Sequence, residues 1–202
     1  MMRKRWFAGR RAQPIATTEA LRGFFAAESA LVAQKCMIGY CHVKTRLPLT
    51  ELMRDEEFRI AFERARWLGF AAVLGDLAAV IEGHLRPAAG ERQAALADRL
   101  ADCCATVLAQ HQQTTTAAST DAVADIRGRL HRVQLAEPQS VADIAWTSAA
   151  RLFDALPIHD RLRRPDKDAV MASVRFMMVS RCGRLDRRLD CQGLVQALLA
   201  GA

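Results

Sequence analysis

Between Trp67 and Ile81 the chain carries apolar residues on every face that a helix would present: Trp67, Leu68, Phe70, Val73, Leu74, Leu77, Val80 and Ile81. A surface helix confines its apolar residues to one stripe, so a helix that is apolar all round has to be enclosed by others. Through this segment run Ala65, Gly69, Ala72, Asp76, Ala79 and Gly83, at steps of 4, 3, 4, 3 and 4. That spacing aligns them on one helical face. Small side chains there let a second helix approach closely, and Asp76 alone brings a charge into the seam. A long central helix over residues 56 to 86 is the organising expectation.

Its ends follow from local chemistry. Thr50 offers an N-cap, with Glu51, Asp55, Glu56 and Glu57 near the positive end of the helix dipole. A kink is expected near Asp55, and Pro87 is expected to end the helix at about Arg86. Upstream, Thr17 and Thr18 precede Glu19 and a helical recurrence of Leu21, Phe24, Phe25, Leu31, Val32 and Ile38, which predicts a first helix to about His42. Residues 88 to 113 read as a third helix, 112 to 121 as a loop, and a fourth helix follows Ser119 or Thr120. Ser140 with Asp143 three residues on resembles a capping box and predicts one helix from there to about Ala155. Pro165 opens a further helix whose inner face is Val170, Met171, Val174, Met177 and Met178.

Composition agrees. Hydrophobic residues make up 51% of the 202 positions, which is ample for a core, and aromatics are only 6%. Ala, Leu and Arg dominate while β-branched residues are sparse, which favours helix because straight side chains lose little rotamer freedom there. The fold class is therefore all-α: a single-domain helical bundle of about six or seven helices around the long central helix. Residues 1-16 are expected to be a flexible basic N-terminal tail, and 17-202 the single all-helical domain.

The net charge is +7, but Arg3, Lys4, Arg5, Arg10 and Arg11 supply +5 of it, leaving +2 on the remaining 190 residues. A tail of that charge, with Trp6 and Phe7, suits phosphates or weak contact with an anionic membrane surface. It lacks the apolar core of a secretory signal, which points to the cytoplasm. The longest unbroken apolar run, Trp67 to Gly75, is nine residues, against the roughly 20 needed to span a bilayer. No transmembrane segment is expected. Six cysteines in a reducing compartment are expected to remain free thiols.

The most metal-like phrase is "KCMIGYCH", residues 35 to 42. On a continuous helix Cys36 and Cys41 point about 140° apart, and Cys36 and His42 about 120° apart. Chelation would require an unwound turn at Gly39, so the expectation is no metal and two buried thiols. The C-x-x-C-H haem spacing, paired Glu-x-x-His motifs, P-loops, G-x-G-x-x-G turns and G-x-S-x-G elbows are all absent. No cofactor is expected.

Three places carry chemistry. Asp76, in a dry seam, must be paired or protonated, either as a catalytic or ligand-binding acid or as a partner of a buried cation. His159, Arg161, Arg163, Arg164 and Lys167 surround the helix start at Pro165 and form a candidate anion site, offset by Asp160, Asp166 and Asp168. Glu28, Lys35 and His42 fall on successive sevens and make either a solvent boundary or an inward polar ladder. The leading functional expectation is a cytoplasmic, non-catalytic helical protein acting through a protein partner or as a homo-oligomer. The alternatives are a small-anion-binding protein or enzyme with a pocket near Asp76 or the His159 to Lys167 segment, and nucleic-acid binding through the tail and Arg181, Arg184, Arg187 and Arg188.

Overall fold

The computed structural model describes residues 14–111 and 116–200; the basic stretch 1–12 lies outside them. The described chain is helical, with ten α-helices: α1 (Thr18–Thr45), α2 (Leu49–Leu52), α3 (Glu56–Ala89), α4 (Gln93–His111), α5 (Thr116–Val133), α6 (Val141–Ile144), α7 (Trp146–Ala155), α8 (Asp160–Arg163), α9 (Lys167–Cys182) and α10 (Cys191–Leu199). Seven of these are nine residues or longer and three are single turns. The protein is an all-α single domain.

α3 is its axis. α1, α4, α5, α7 and α10 pack directly against it, while α9 lies outside, on α1, α6 and α7. The small-residue seam admits close neighbours as its spacing predicts. A Cβ on Gly69 would stand 3.4 Å from the Cβ of Ala33 in α1 and 3.5 Å from Leu152 Cδ1 in α7. A Cβ on Gly83 would stand 3.4 Å from Pro138. Leu152, Ser148 and Pro138 thus descend along the seam as Gly69, Asp76 and Gly83 ascend it.

Helix ends depart from expectation in several places: α5 begins at Thr116, inside the stretch 112–121 expected as a loop, and Pro165 lies in a 3-10 turn, Arg164–Asp166, with α9 starting at Lys167. Asp55, not Thr50, caps α3: its Oδ1 accepts from Phe58 N at 2.7 Å, and its backbone is extended. Thr50 lies inside the single turn of α2, which follows Pro48. Pro87 does not end α3; without an N–H it forfeits one bond, to the carbonyl of Gly83, and the helix continues to Ala89. The stop comes at Gly90, whose positive φ of 55° is a conformation that favours glycine. The single helix expected over 140–155 breaks at Ala145, although Ser140 caps it as predicted, accepting from Asp143 N at 3.2 Å. Lastly, the domain begins before residue 17. Ile15 is 1% exposed, its N–H donates to Arg188 O at 2.7 Å, and its carbonyl accepts from Asp190 N at 3.2 Å. A buried isoleucine bonded on both backbone groups cannot belong to a free tail.

One stretch within Glu56–His111 holds an 18-residue window of mean hydropathy 1.5, long and apolar enough to cross a membrane by length and composition. Isolated polar residues interrupt its apolar run without lowering the mean far. In the protein 78% of that window is buried, as befits the central helix of a core.

The cap assignment is directly testable. Asp55→Ala is expected to lower unfolding stability by about 1 kcal/mol, the usual cost of losing an N-cap, and Thr50→Ala by less than about 0.5 kcal/mol. Urea denaturation of the two variants measures the difference; equal losses would contradict the assignment.

Candidate functional site

Asp76 is fully buried. Its Oδ1 accepts from Arg129 Nη1 of α5, and its Oδ2 accepts from the backbone N–H of Ser148 in α7 at 2.9 Å. Arg129 Nη2 donates to the carbonyl of Ile144 at 3.1 Å. In an uninterrupted helix, Ser148 N–H would bond Ile144 O, the residue four earlier. Here the chain breaks at Ala145, and the carboxylate takes the orphaned N–H while the guanidinium takes the orphaned carbonyl. The ion pair is inserted where a helical hydrogen bond would have been. Burial pushes the Asp76 carboxyl above its ordinary range, and Arg129 and the Ser148 bonds oppose that shift.

Two further carboxylates are buried the same way. Glu82, six residues further along α3, is held by Arg86 through Nε at 3.0 Å and Nη2 at 2.7 Å, and accepts from Gln134 Nε2 at 3.0 Å. Arg86 also donates to the carbonyls of Val133 at 2.9 Å and Ala136 at 2.6 Å, closing the end of α5. Glu28 of α1 accepts from Arg181 of α9 through Nε at 2.6 Å and Nη2 at 2.8 Å. Glu28 therefore faces α9, and no inward ladder forms, since Lys35 and His42 are exposed.

A cavity of about 240 Å³ lies beside this network, lined by Ala79, Val80, Gly83, His84, Arg86 and Val141 among others. It begins one turn beyond Asp76, which does not line it. Its two charged or titratable side chains already have partners: His84 Nε2 lies 3.0 Å from Asp186 Oδ1 and Nδ1 lies 2.8 Å from Val80 O, while Arg86 holds Glu82.

Of the candidate anion residues, Arg163, Arg164, Lys167 and His159 are engaged locally, while the Arg161 side chain is exposed. Arg163 Nη1 donates to the carbonyls of Phe153 and Asp154, each at 2.6 Å, at the C-terminal end of α7, and its guanidinium lies 5.2 Å from the centre of the Phe153 ring. Arg164 pairs with Asp160 at 2.6 Å, and Lys167 Nζ stands 5.9 Å over Phe153. His159 is exposed and caps α8, accepting from Arg161 N at 3.3 Å. Asp166 belongs to a different cluster, accepting from Lys44 Nζ at 2.7 Å and Tyr40 Oη at 2.9 Å, which ties the end of α1 to the start of α9.

α1 runs unbroken through Gly39, so Cys36, Cys41 and His42 diverge: Cys36 is half-buried, Cys41 buried and His42 exposed. Burial pushes both thiols up to about 11. Among the described residues no three His, Cys, Asp or Glu side chains converge as a metal site would require. The C-terminal arginines are likewise divided, since Arg181 holds Glu28 and Arg188 lies 5.5 Å over the Phe24 ring, leaving Arg184 and Arg187 exposed.

Sequence reasoning missed Arg129 and Glu82. The α3 register offered a signal for Glu82, because it falls six residues after Asp76 inside the apolar helix. Arg129 carried none, being one of several arginines in α5. Comparison with protein-family models, curated proteins and solved structures finds no match for the chain.

Removing one member of the Asp76–Arg129 pair strands a buried charge. Asp76→Ala and Arg129→Ala are each expected to cost about 3–5 kcal/mol, and the double variant distinctly less than their sum. Denaturant unfolding of all three completes the cycle, and additivity within about 0.5 kcal/mol would refute direct coupling. A pH series tests the Asp166 cluster, where the Lys44 and Tyr40 bonds hold the carboxyl below its ordinary range. A depressed folded value contributes stability above the unfolded value and loses it as pH falls through the folded one. The difference in Tm between the protein and Asp166→Asn should thus be present at neutral pH and vanish in acid; a gap that persists in acid would contradict it.

Proposed function

We infer that the protein is a non-catalytic helical protein that acts by binding another protein surface. One observation carries the reading: α9 is apolar on two opposite faces. Its inner face, Val170, Met171, Val174 and Met178, is buried against the bundle. Its outer face presents Phe176, 74% exposed, and Val179, 43% exposed. To one side, Arg175 holds its guanidinium 4.0 Å over the ring of half-exposed Trp146 and anchors its Nε on Ala142 O at 2.9 Å. Aromatic and arginine side chains held rigidly on a helix resemble the anchors of protein interfaces, because little side-chain freedom is lost on binding.

The inner chemistry points the same way. Glu28 and Asp76 each pair with an arginine of another helix, and Glu82 with Arg86 of its own helix and with Gln134 just beyond α5, which supports a role in holding the fold.

The reading is tested with a photoreactive phenylalanine analogue at position 176 and, as a control, at exposed Ile60 of α3. A single defined adduct is expected from position 176, saturable by unlabelled protein and absent from position 60. No adduct from 176, with unlabelled protein monomeric by native mass measurement, would overturn it.

A further inference from the structure

The outer ridge of α9 reads the same in both directions in size and reverses in charge. Taken at intervals of four, it runs Asp168, Ala172, Phe176, Ser180, Arg184. All five residues are exposed. Residues four apart form a continuous ridge on a helix, and Gly183, with φ −62° and ψ −2°, carries the right-handed turn past the last helical residue, Cys182, to Arg184. The order is therefore acid, small, aromatic, small, base. No side-chain hydrogen bond or ion pair within the described residues engages Asp168 or Arg184, whereas Arg86, Arg127, Arg129, Arg151, Arg164 and Arg181 hold carboxylates.

We propose that this ridge is a self-association surface, on which a second copy of the chain packs its own α9 antiparallel about a two-fold axis through Phe176. The proposal rests on the protein-contact reading and names its partner. A two-fold interface is isologous, so residue i meets residue j and j meets i. An i±4 ridge is inclined about 26° to its helix axis, so the two ridges align when the helices cross at about −50°; with the axis at position 176, residue i then faces residue 352 minus i: Asp168 faces Arg184 of the other copy at both ends, Ala172 faces Ser180, and Phe176 meets Phe176. Small residues beside the axis let the helices approach, and the central rings stack in the gap that remains. Two equivalent ion pairs then close the ends, joining Asp168 and Arg184, whose side chains have no ion pair within the described residues. A parallel arrangement would set Asp168 against Asp168 and Arg184 against Arg184. A ridge of this length, about 24 Å along a 16-residue helix, extends sideways over Val179 and toward Trp146.

The test uses the full chain in sedimentation equilibrium. The unmodified protein is expected to dimerise. Asp168→Arg and Arg184→Asp, each substituting an exposed side chain, should leave the circular dichroism unchanged and weaken the dimer by about tenfold or more, because two attractions become repulsions. The double variant restores both pairs with reversed polarity and should dimerise within about threefold of the original. Phe176→Cys should oxidise to a covalent dimer on its own, since only a residue on the axis meets its own copy. A protein monomeric at all concentrations overturns the proposal, as does a dimer indifferent to the single reversals or not rescued by the double. If the photoreactive residue at 176 meanwhile yields an adduct with a different protein, the second-copy proposal fails and the protein-contact reading stands.

Discussion

The fold turns on one side-chain pair, Asp76 with Arg129, set into a gap in a helix. α6 and α7 would be one helix if Ser148 N–H bonded Ile144 O; instead Asp76 takes the first and Arg129 the second. Buried backbone groups must find partners, so the break exists only because α3 and α5 deliver a carboxylate and a guanidinium to it. Three segments are joined at a single point. The apolar faces around it supply far more favourable area, but none of them specifies how the segments meet.

Arginine recurs in this role. Arg86 closes the carbonyls at the end of α5, Arg163 those at the end of α7, Arg129 that of Ile144 and Arg175 that of Ala142. Each helix leaves its last four carbonyls without partners inside itself, and a chain of many short helices has many such ends. A guanidinium suits them because its fork presents several donors at once. These four arginines are therefore turned to the protein's own backbone, so total charge overstates what is left for an external partner.

Helix positions were legible where periodicity was strong. The enclosed α3, the small-residue seam and the buried face of α9, Met177 excepted, followed from spacing, and the α1 start at Thr17 from its capping hydroxyl. The misplaced boundaries share a cause. Thr50, Pro87 and the unbroken 140–155 helix were read from local preference, and each was overridden by a contact made elsewhere in the chain or by a better local competitor: Asp55 caps more tightly, and Asp76 and Arg129 sustain the break at Ala145. Asp76 itself was legible as a buried charge needing a partner, because the register put it there. Its partner was not, since nothing in the residues around Arg129 separates it from Arg127 or Arg132. Phe176 was within reach: the face formed by Val170, Met171, Val174, Met177 and Met178 leaves it on the opposite side.

The seam along α3 also shows why a charge is useful in a place where it is costly. Ala65, Gly69, Ala72, Ala79 and Gly83 present nearly the same profile at every turn, so a neighbour sliding by two turns would find an almost equivalent groove. Asp76 removes that equivalence. Slid by seven residues, Ser148 would face Gly69 or Gly83, and its N–H, the Ile144 carbonyl, Arg129 and Asp76 would all be left unpaired in the core. Each buried unsatisfied group costs about 1–3 kcal/mol, and charged ones more, so one misregister carries a penalty comparable to the whole stability of a domain, about 5–15 kcal/mol. A methionine or leucine at position 76 could fill the same space and would forgive the slip. The buried carboxylate thus supplies register, while the alanines and glycines around it supply proximity.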